Sequence, residues 1–230
     1  MKKLNIVIAL LLMVFISNSS YAQDWANLNR YREQNEKLGL PKPDERRVVF
    51  MGNSITDGWI NNFPEYFSEN GYVDRGISGQ TTPQMLVRFR ADVINLKPEV
   101  VTILAGTNDI AGNTGPSTLE MIADNIFSMA ELARANGIKV ILSSILPVYD
   151  YPWKPGLQPA EKIIKLNAMI KEYADKHKMV YLDYFSSFAD ERNGMKAEYS
   201  KDGVHPNKEG YKVMMELCSE AIKKAMKQKR

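Results

Sequence analysis

Only two histidines, His177 and His205, occur in the 230-residue chain, so any imidazole chemistry must use one of them. His205 lies in "DGVHPN", residues 202–207, three positions after Asp202. Across a tight turn that spacing lets the carboxylate reach the imidazole Nδ1–H and fix its tautomer, which is the orienting role that a nucleophile–base pair requires. His177, in "ADKHKMV", stands at the polar end of a helical pattern beside two lysines and reads as solvated. A nucleophile to match His205 is offered by Ser54 in "VVFMGNSITDGW", residues 48–59, directly after a β-branched apolar run. Serine at the carboxyl end of a central strand can be held exposed for attack on a carbonyl carbon. Gly, Asn and Ser are also common turn formers, so this stretch by itself leaves a plain turn open.

Other chemistries find less support. The chain has no H-x-x-x-H and a lone cysteine, so no zinc-like ligand spacing exists, and neither a metal nor any other cofactor is expected. The residue two after Ser54 is Thr56, which excludes the G-x-S-x-G elbow, and neither G-x-G-x-x-G nor a P-loop occurs. Cys218 shares one helical face with Val213, Met214, Leu217, Ala221 and Ile222, which makes it a small core residue.

The elements that would position these residues can be read from the apolar pattern. β-rich runs recur at 47–51, 72–73, 99–105, 138–145 and 179–184. Helical patterns lie near 60–69, 83–96, 117–136 and 159–177, with a last one from 207 to about 227. Alternation of this kind, with strands that are continuous apolar runs, predicts a mainly parallel sheet of about five strands covered by helices on both faces, a three-layer α/β/α sandwich. Ligands in such folds bind beyond the carboxyl ends of the strands. Small polar and glycine-bearing stretches fall there: Gly52-Asn53-Ser54 after the first run, "DRGISGQTT" (74–82) after the second and "AGTND" (105–109) after the third.

Residues 1–22 stand apart. Lys2 and Lys3 precede an apolar run from Ile6 to Ile16, and Ser20-Tyr21-Ala22 supplies small residues at a cleavage site, the pattern of a secretory signal peptide. The apolar run is short for a membrane span, and no cysteine stands just after the cleavage point for a lipid anchor. Cleavage would remove Lys2 and Lys3 from 30 basic residues and none of 27 acidic ones, leaving a formal charge of +1, which argues against nucleic acid or an anionic membrane surface as partner. The remaining residues, 23–230, suit one domain, opened by an N-terminal helix over 24–38 that Gly39 and Pro41 end. An exported chain with one cysteine must be held by its core, and its location is periplasmic or extracellular.

Taken together and in this order, these stretches resemble the SGNH hydrolases, also known as GDSL-like esterases and lipases, over residues 46–215. The resemblance implies a flavodoxin-like α/β/α fold, Ser54 as nucleophile, Gly79 and Asn108 in the oxyanion hole, and Asp202 with His205 as the acid–base pair. The family usually carries Asp before the nucleophile, where this chain has Asn53. The amide keeps an acceptor oxygen and loses the charge. Asp74 and Arg75 are assigned a structural role. Physically the set is coherent: acyl transfer needs donors where charge develops on the carbonyl oxygen, and the N–H groups of Ser54 and Gly79 with the Asn108 amide can supply them.

The aromatic loop "LPVYDYPWKPGLQP", residues 146–159, follows the fourth strand. Tyr149, Tyr151 and Trp153 there can stack on a sugar ring, line an acyl pocket or pack on their own loop. Trp59 reads as a helix anchor. The composite expectation is an exported serine esterase releasing short acyl groups, acetyl foremost, from carbohydrates or similar polar esters. A lysophospholipase or thioesterase on the same scaffold and a non-catalytic carbohydrate-binding protein are the alternatives.

Overall fold

The computed structural model describes residues 24–228. The expected signal peptide at 1–22 lies outside them.

The chain forms α1 (Arg32–Leu38), β1 (Val48–Gly52), α2 (Ser54–Asn62), α3 (Pro64–Ser68), β2 (Tyr72–Gly76) and α4 (Thr82–Asp92). A single 3₁₀ turn over Ile94–Leu96 leads to β3 (Val100–Leu104), α5 (Thr107–Ile110), α6 (Leu119–Ala135) and β4 (Lys139–Ser143). The chain then passes through α7 (Ala160–Lys176), β5 (Val180–Leu182), α8 (Phe185–Phe188) and α9 (Lys208–Lys227). The five strands pair in parallel in the order β2-β1-β3-β4-β5. Strand order reverses at β1, so the crevice between the ends of β1 and β3 is the switch point where ligands of such sheets bind.

Alternation along β1 builds the layers. Val49 and Met51 face a core with Met85 and Phe89 of α4, Ile122 and Ile126 of α6 and Leu166 of α7. Val48 and Phe50 face the other core, with Ile55 and Trp59 of α2, Phe67 of α3 and Met214 and Cys218 of α9. Both faces of the strand are apolar because both are covered, the α/β/α arrangement that the sequence predicts. Trp59 anchors α2 edge-on to Phe50, with ring centroids 5.5 Å apart.

Some boundaries differ from expectation. The N-terminal helix occupies only Arg32–Leu38, not 24–38. Asn27 at φ 57° breaks the helical path, and the Asp24 carboxylate instead accepts from the N–H groups of Leu28 and Asn29. α2 begins at Ser54 itself, earlier than the apolar periodicity suggests, because Asn53 caps it by accepting from Ile55 N at 3.1 Å. β5 ends at Leu182 because the Ser144 hydroxyl takes the N–H groups of Tyr184 and Phe185 and turns the chain into α8.

The start of α2 packs so tightly on the sheet that it dictates two glycines. A Cβ on Gly52 would lie 2.0 Å from Thr56 Oγ1, and one on Gly76 would lie 2.2 Å from the backbone nitrogen of Asp57. The second clash is with backbone, so the packing of α2 on β2 must shift to relieve it. Gly76→Ala is therefore expected to destabilise the protein by about 1–3 kcal/mol and to lower activity with it, since the displaced helix carries Ser54. Thermal unfolding and kcat measured on the same sample check this; unchanged kcat with a lowered Tm would separate the helix start from the site.

Candidate active site

The site is assembled from loop ends at the carboxyl edge of the sheet. Ser54 is the first residue of α2, where the cap formed by Asn53 sets its backbone. Its Oγ lies 3.0 Å from His205 Nε2, and His205 Nδ1 lies 2.7 Å from Asp202 Oδ2. Residues separated by 151 positions in the chain thus form one continuous hydrogen-bonded line.

The local sequence holds that line in place. Asp202 Oδ1 accepts from the N–H groups of Val204 and His205, at 2.9 and 2.8 Å, so the same carboxylate that faces the imidazole also closes its turn. Gly203, at φ 77°, supplies the left-handed step between them. Ser200 adds a second tie: its hydroxyl donates to His205 O at 2.8 Å and accepts from Gly203 N at 3.0 Å. Asn207 then caps α9 by accepting from Gly210 N. One hydrogen bond joins this helix to the turn that carries Ser54: Tyr211 of α9 donates its hydroxyl proton to Ile55 O at 2.8 Å. Neither Ser200 nor Tyr211 stands out in the sequence, since a serine in a loop and an aromatic in a helix carry no spacing signal.

Burial would raise the Asp202 pKa, but hydrogen bonds from the His205 ring, His205 N–H and Val204 N–H outweigh it and hold the carboxyl down at about 2. The group is ionised across the working range and can stabilise an imidazolium.

The other stretches converge on the same edge. Ile77 N donates to Gly52 O at 3.2 Å, bringing the loop after β2 beside the turn that carries Ser54. Gly79 in that loop has φ 79°, and its would-be Cβ meets nothing, so conformation and not space calls for glycine there. Asn108, buried at the start of α5, donates through Nδ2 to Gln80 O at 2.9 Å. Asp109 beside it accepts from the N–H and hydroxyl of Thr82, locking the loop after β3 to the start of α4. Asn53 keeps its expected acceptor bond, and Arg75 is structural: it donates twice to Asn35 Oδ1 and lies over the Tyr31 ring.

The aromatic loop divides. Trp153 is 47% exposed, and its ring lies 6.2 Å from that of His205. Tyr149 is exposed but carries the Arg192 guanidinium over its ring at 4.7 Å. Tyr151 is withdrawn from solvent altogether, with its hydroxyl bonded to Thr107, so the substrate-contact reading of that residue is corrected to a packing role. Tyr151 in turn supports Trp153, with ring centroids 5.1 Å apart. His177 closes α7 against Tyr173, away from the site, as its polar surroundings suggest. Among the described residues no group of three or more His, Cys, Asp or Glu side chains could hold a metal ion, and no helix is long and apolar enough to cross a membrane.

A parallel sheet of order 2-1-3-4-5 with a serine, an imidazole and a carboxylate in line at its switch point is the framework of a serine hydrolase. The chain belongs to the GDSL-like lipase/acylhydrolase family, whose sequence pattern matches residues 50–213. It is similar to a GDSL-like lipase of known structure from Bacteroides thetaiotaomicron, with 50% identity, a TM-score of 0.85 and coverage of 87% of this chain and 98% of that one. It is 28% identical to esterase TesA of Pseudomonas aeruginosa over 68% of this chain and 73% of the relative. An acetylxylan esterase of Xylanibacter ruminicola is 27% identical over 82% of this chain, which spans 45% of that larger protein. The protein is thus an ester-hydrolysing enzyme.

Proposed function

We propose that the protein is an exported serine esterase that removes short acyl groups, acetyl foremost, from carbohydrates. The observation that carries the catalytic part is the unbroken line from Ser54 Oγ through His205 to Asp202. Ser54 Oγ attacks the ester carbonyl carbon while its proton passes to His205 Nε2. The alcohol leaves with that proton, and the acyl group stays on Ser54. A water, losing its proton to His205, then releases the acid and restores the serine. Asp202 holds the imidazole with Nε2 free to accept and balances the charge that it gains. The N–H groups of Ser54 and Gly79 and the Asn108 amide receive the negative charge on the carbonyl oxygen.

The carbohydrate part rests on Trp153, an exposed indole beside the base on a loop interrupted by four prolines and bearing Asp150 and Lys154. An amphipathic ring on a polar loop suits a sugar face better than a lipid tail. Similarity to an acetylxylan esterase supports the same substrate class. Residues 1–22 would direct export and be removed.

Chain length tests the acyl preference: with one leaving group, kcat/KM is expected to fall from acetyl through butyryl to octanoyl esters. A maximum at octanoyl would replace the carbohydrate reading with the lysophospholipase one. Trp153→Ala is expected to raise KM for acetylated xylo-oligosaccharides about 10-fold, as lost stacking and burial of one ring would give, and to leave nitrophenyl acetate hydrolysis within about 2-fold. Equal effects on both substrates would remove Trp153 from sugar recognition.

A further inference from the structure

Beneath the site lies a polar network that the ester chemistry does not use directly. Arg88 of α4 is fully buried, and each nitrogen of its guanidinium has a partner. Nε donates to Gln80 Oε1 at 2.6 Å, and Nη1 donates to Asp92 Oδ2 at 2.9 Å. Nη2 donates to two carbonyls, Gly52 O at 3.1 Å and Arg75 O at 2.8 Å, the last residue of β1 and the last but one of β2 before the site loops. One side chain therefore ties together the strand that delivers Ser54, the strand that delivers Gly79, and Gln80.

Gln80 is buried as well, and both ends of its amide are engaged: Oε1 by Arg88, and Nε2 by Ala26 O at 2.8 Å. Its backbone carbonyl is the acceptor for Asn108 Nδ2. An amide nitrogen has two hydrogens; with one committed to Gln80 O, the direction of the other is fixed. The N-terminal segment closes the network from outside. Asn35 Nδ2 donates to Asp92 Oδ1 at 2.8 Å, and Tyr31 donates its hydroxyl proton to Gly76 O.

Burying a guanidinium costs much unless its donors are satisfied. Here one donor pairs with the Asp92 carboxylate, and the others are spent on the carbonyl ends of two strands and on one glutamine, next to residues that would stabilise charge. We propose that Arg88 and Gln80 are positioning residues that aim the Asn108 amide at the substrate carbonyl oxygen, with the 24–38 segment as their outer support. The proposal rests on the reading of Asn108 as an oxyanion donor. Preorganised donors contribute only if their direction is set before charge develops. A rigid Gln80 carbonyl does that for Asn108.

The test uses Gln80→Met, which keeps the volume and removes both side-chain bonds, together with Asn108→Ala and the double variant. Asn108→Ala alone is expected to lower kcat about 10²–10³-fold with KM little altered. Gln80→Met is expected to lower kcat about 10–100-fold, with KM within about 2-fold, and to weaken inhibition by ethylboronic acid by the same factor as kcat/KM. That inhibitor forms a tetrahedral adduct on Ser54 with an oxygen where the developing oxyanion would sit, so its affinity follows the donors and not general stability. If Gln80 acts through Asn108, the double variant loses no more than about 3-fold beyond Asn108→Ala. Should Gln80→Met fail to fold, Arg88→Lys, which keeps a charge for Asp92 and loses the fork, is read by the same three measures. Multiplicative losses in the double variant, or boronate affinity unchanged, would overturn the positioning role while leaving Asn108 in place. An Asn108→Ala enzyme of undiminished kcat would instead overturn the oxyanion reading beneath it.

Discussion

Ser54→Ala is expected to lose ester hydrolysis by a factor on the order of 10⁴ or more while keeping its fold, because among the described residues no second hydroxyl or thiol bonds to His205 Nε2. The fold should survive for a specific reason. The cap of α2 is the Asn53 side chain, and Ser54 Oγ bonds to His205 and takes no part in that cap. Removing the hydroxyl therefore costs one half-exposed hydrogen bond and leaves the helix start intact. Circular dichroism and Tm should match the parent. More than a few per cent residual activity in such a sample would place the nucleophile elsewhere.

Asp202→Asn should have the next largest effect, a fall in kcat of about 10³–10⁴ at neutral pH, as when an imidazole is left in the wrong tautomer. Neither orientation of the new amide fits. With its oxygen toward the backbone, its nitrogen faces His205 Nδ1 and offers a donor where the base needs an acceptor. Turned over, the nitrogen meets the N–H groups of Val204 and His205. The parent carboxyl is held at about 2, so it stays ionised as acid is added and cannot cause an acid limb in the ordinary range. Protonation of Asp202 should therefore contribute no loss of rate in the ordinary range, and any loss of parent activity on acidification should reverse when base is restored. An acid limb of the parent that Asp202→Asn abolishes would contradict this division of roles.

Much of the site was legible in the sequence because its residues follow strands. Once β1 and β3 are read as buried parallel strands, Ser54 and Asn108 must emerge at one edge, and Asp202 with His205 are tied by their own turn. What connects these loops was not legible. Arg88, Gln80 and Tyr211 act across separations of 13 to 156 positions, through bonds to backbone carbonyls that any sequence could offer. The aromatic loop shows the same limit. Tyr149, Tyr151 and Trp153 alternate, and only the path of the loop decides that the middle ring turns inward to Thr107 while the outer two meet solvent. Helix starts were missed for a related reason: Asn53 caps α2 with a side-chain oxygen, a bond that apolar periodicity does not register.

The central claim is that Ser54 is the activated nucleophile, and covalent labelling tests it most directly. A fluorophosphonate reacts with a serine only when a neighbouring base removes its proton, and fluoride leaves as the Oγ–P bond forms. Peptide mass analysis after treatment should find one equivalent of adduct on the peptide containing Ser54, formed at a rate that tracks loss of esterase activity. The label should be absent in Ser54→Ala and strongly slowed in His205→Ala. Stoichiometric labelling of another residue, or full inactivation with Ser54 unmodified, would contradict the account.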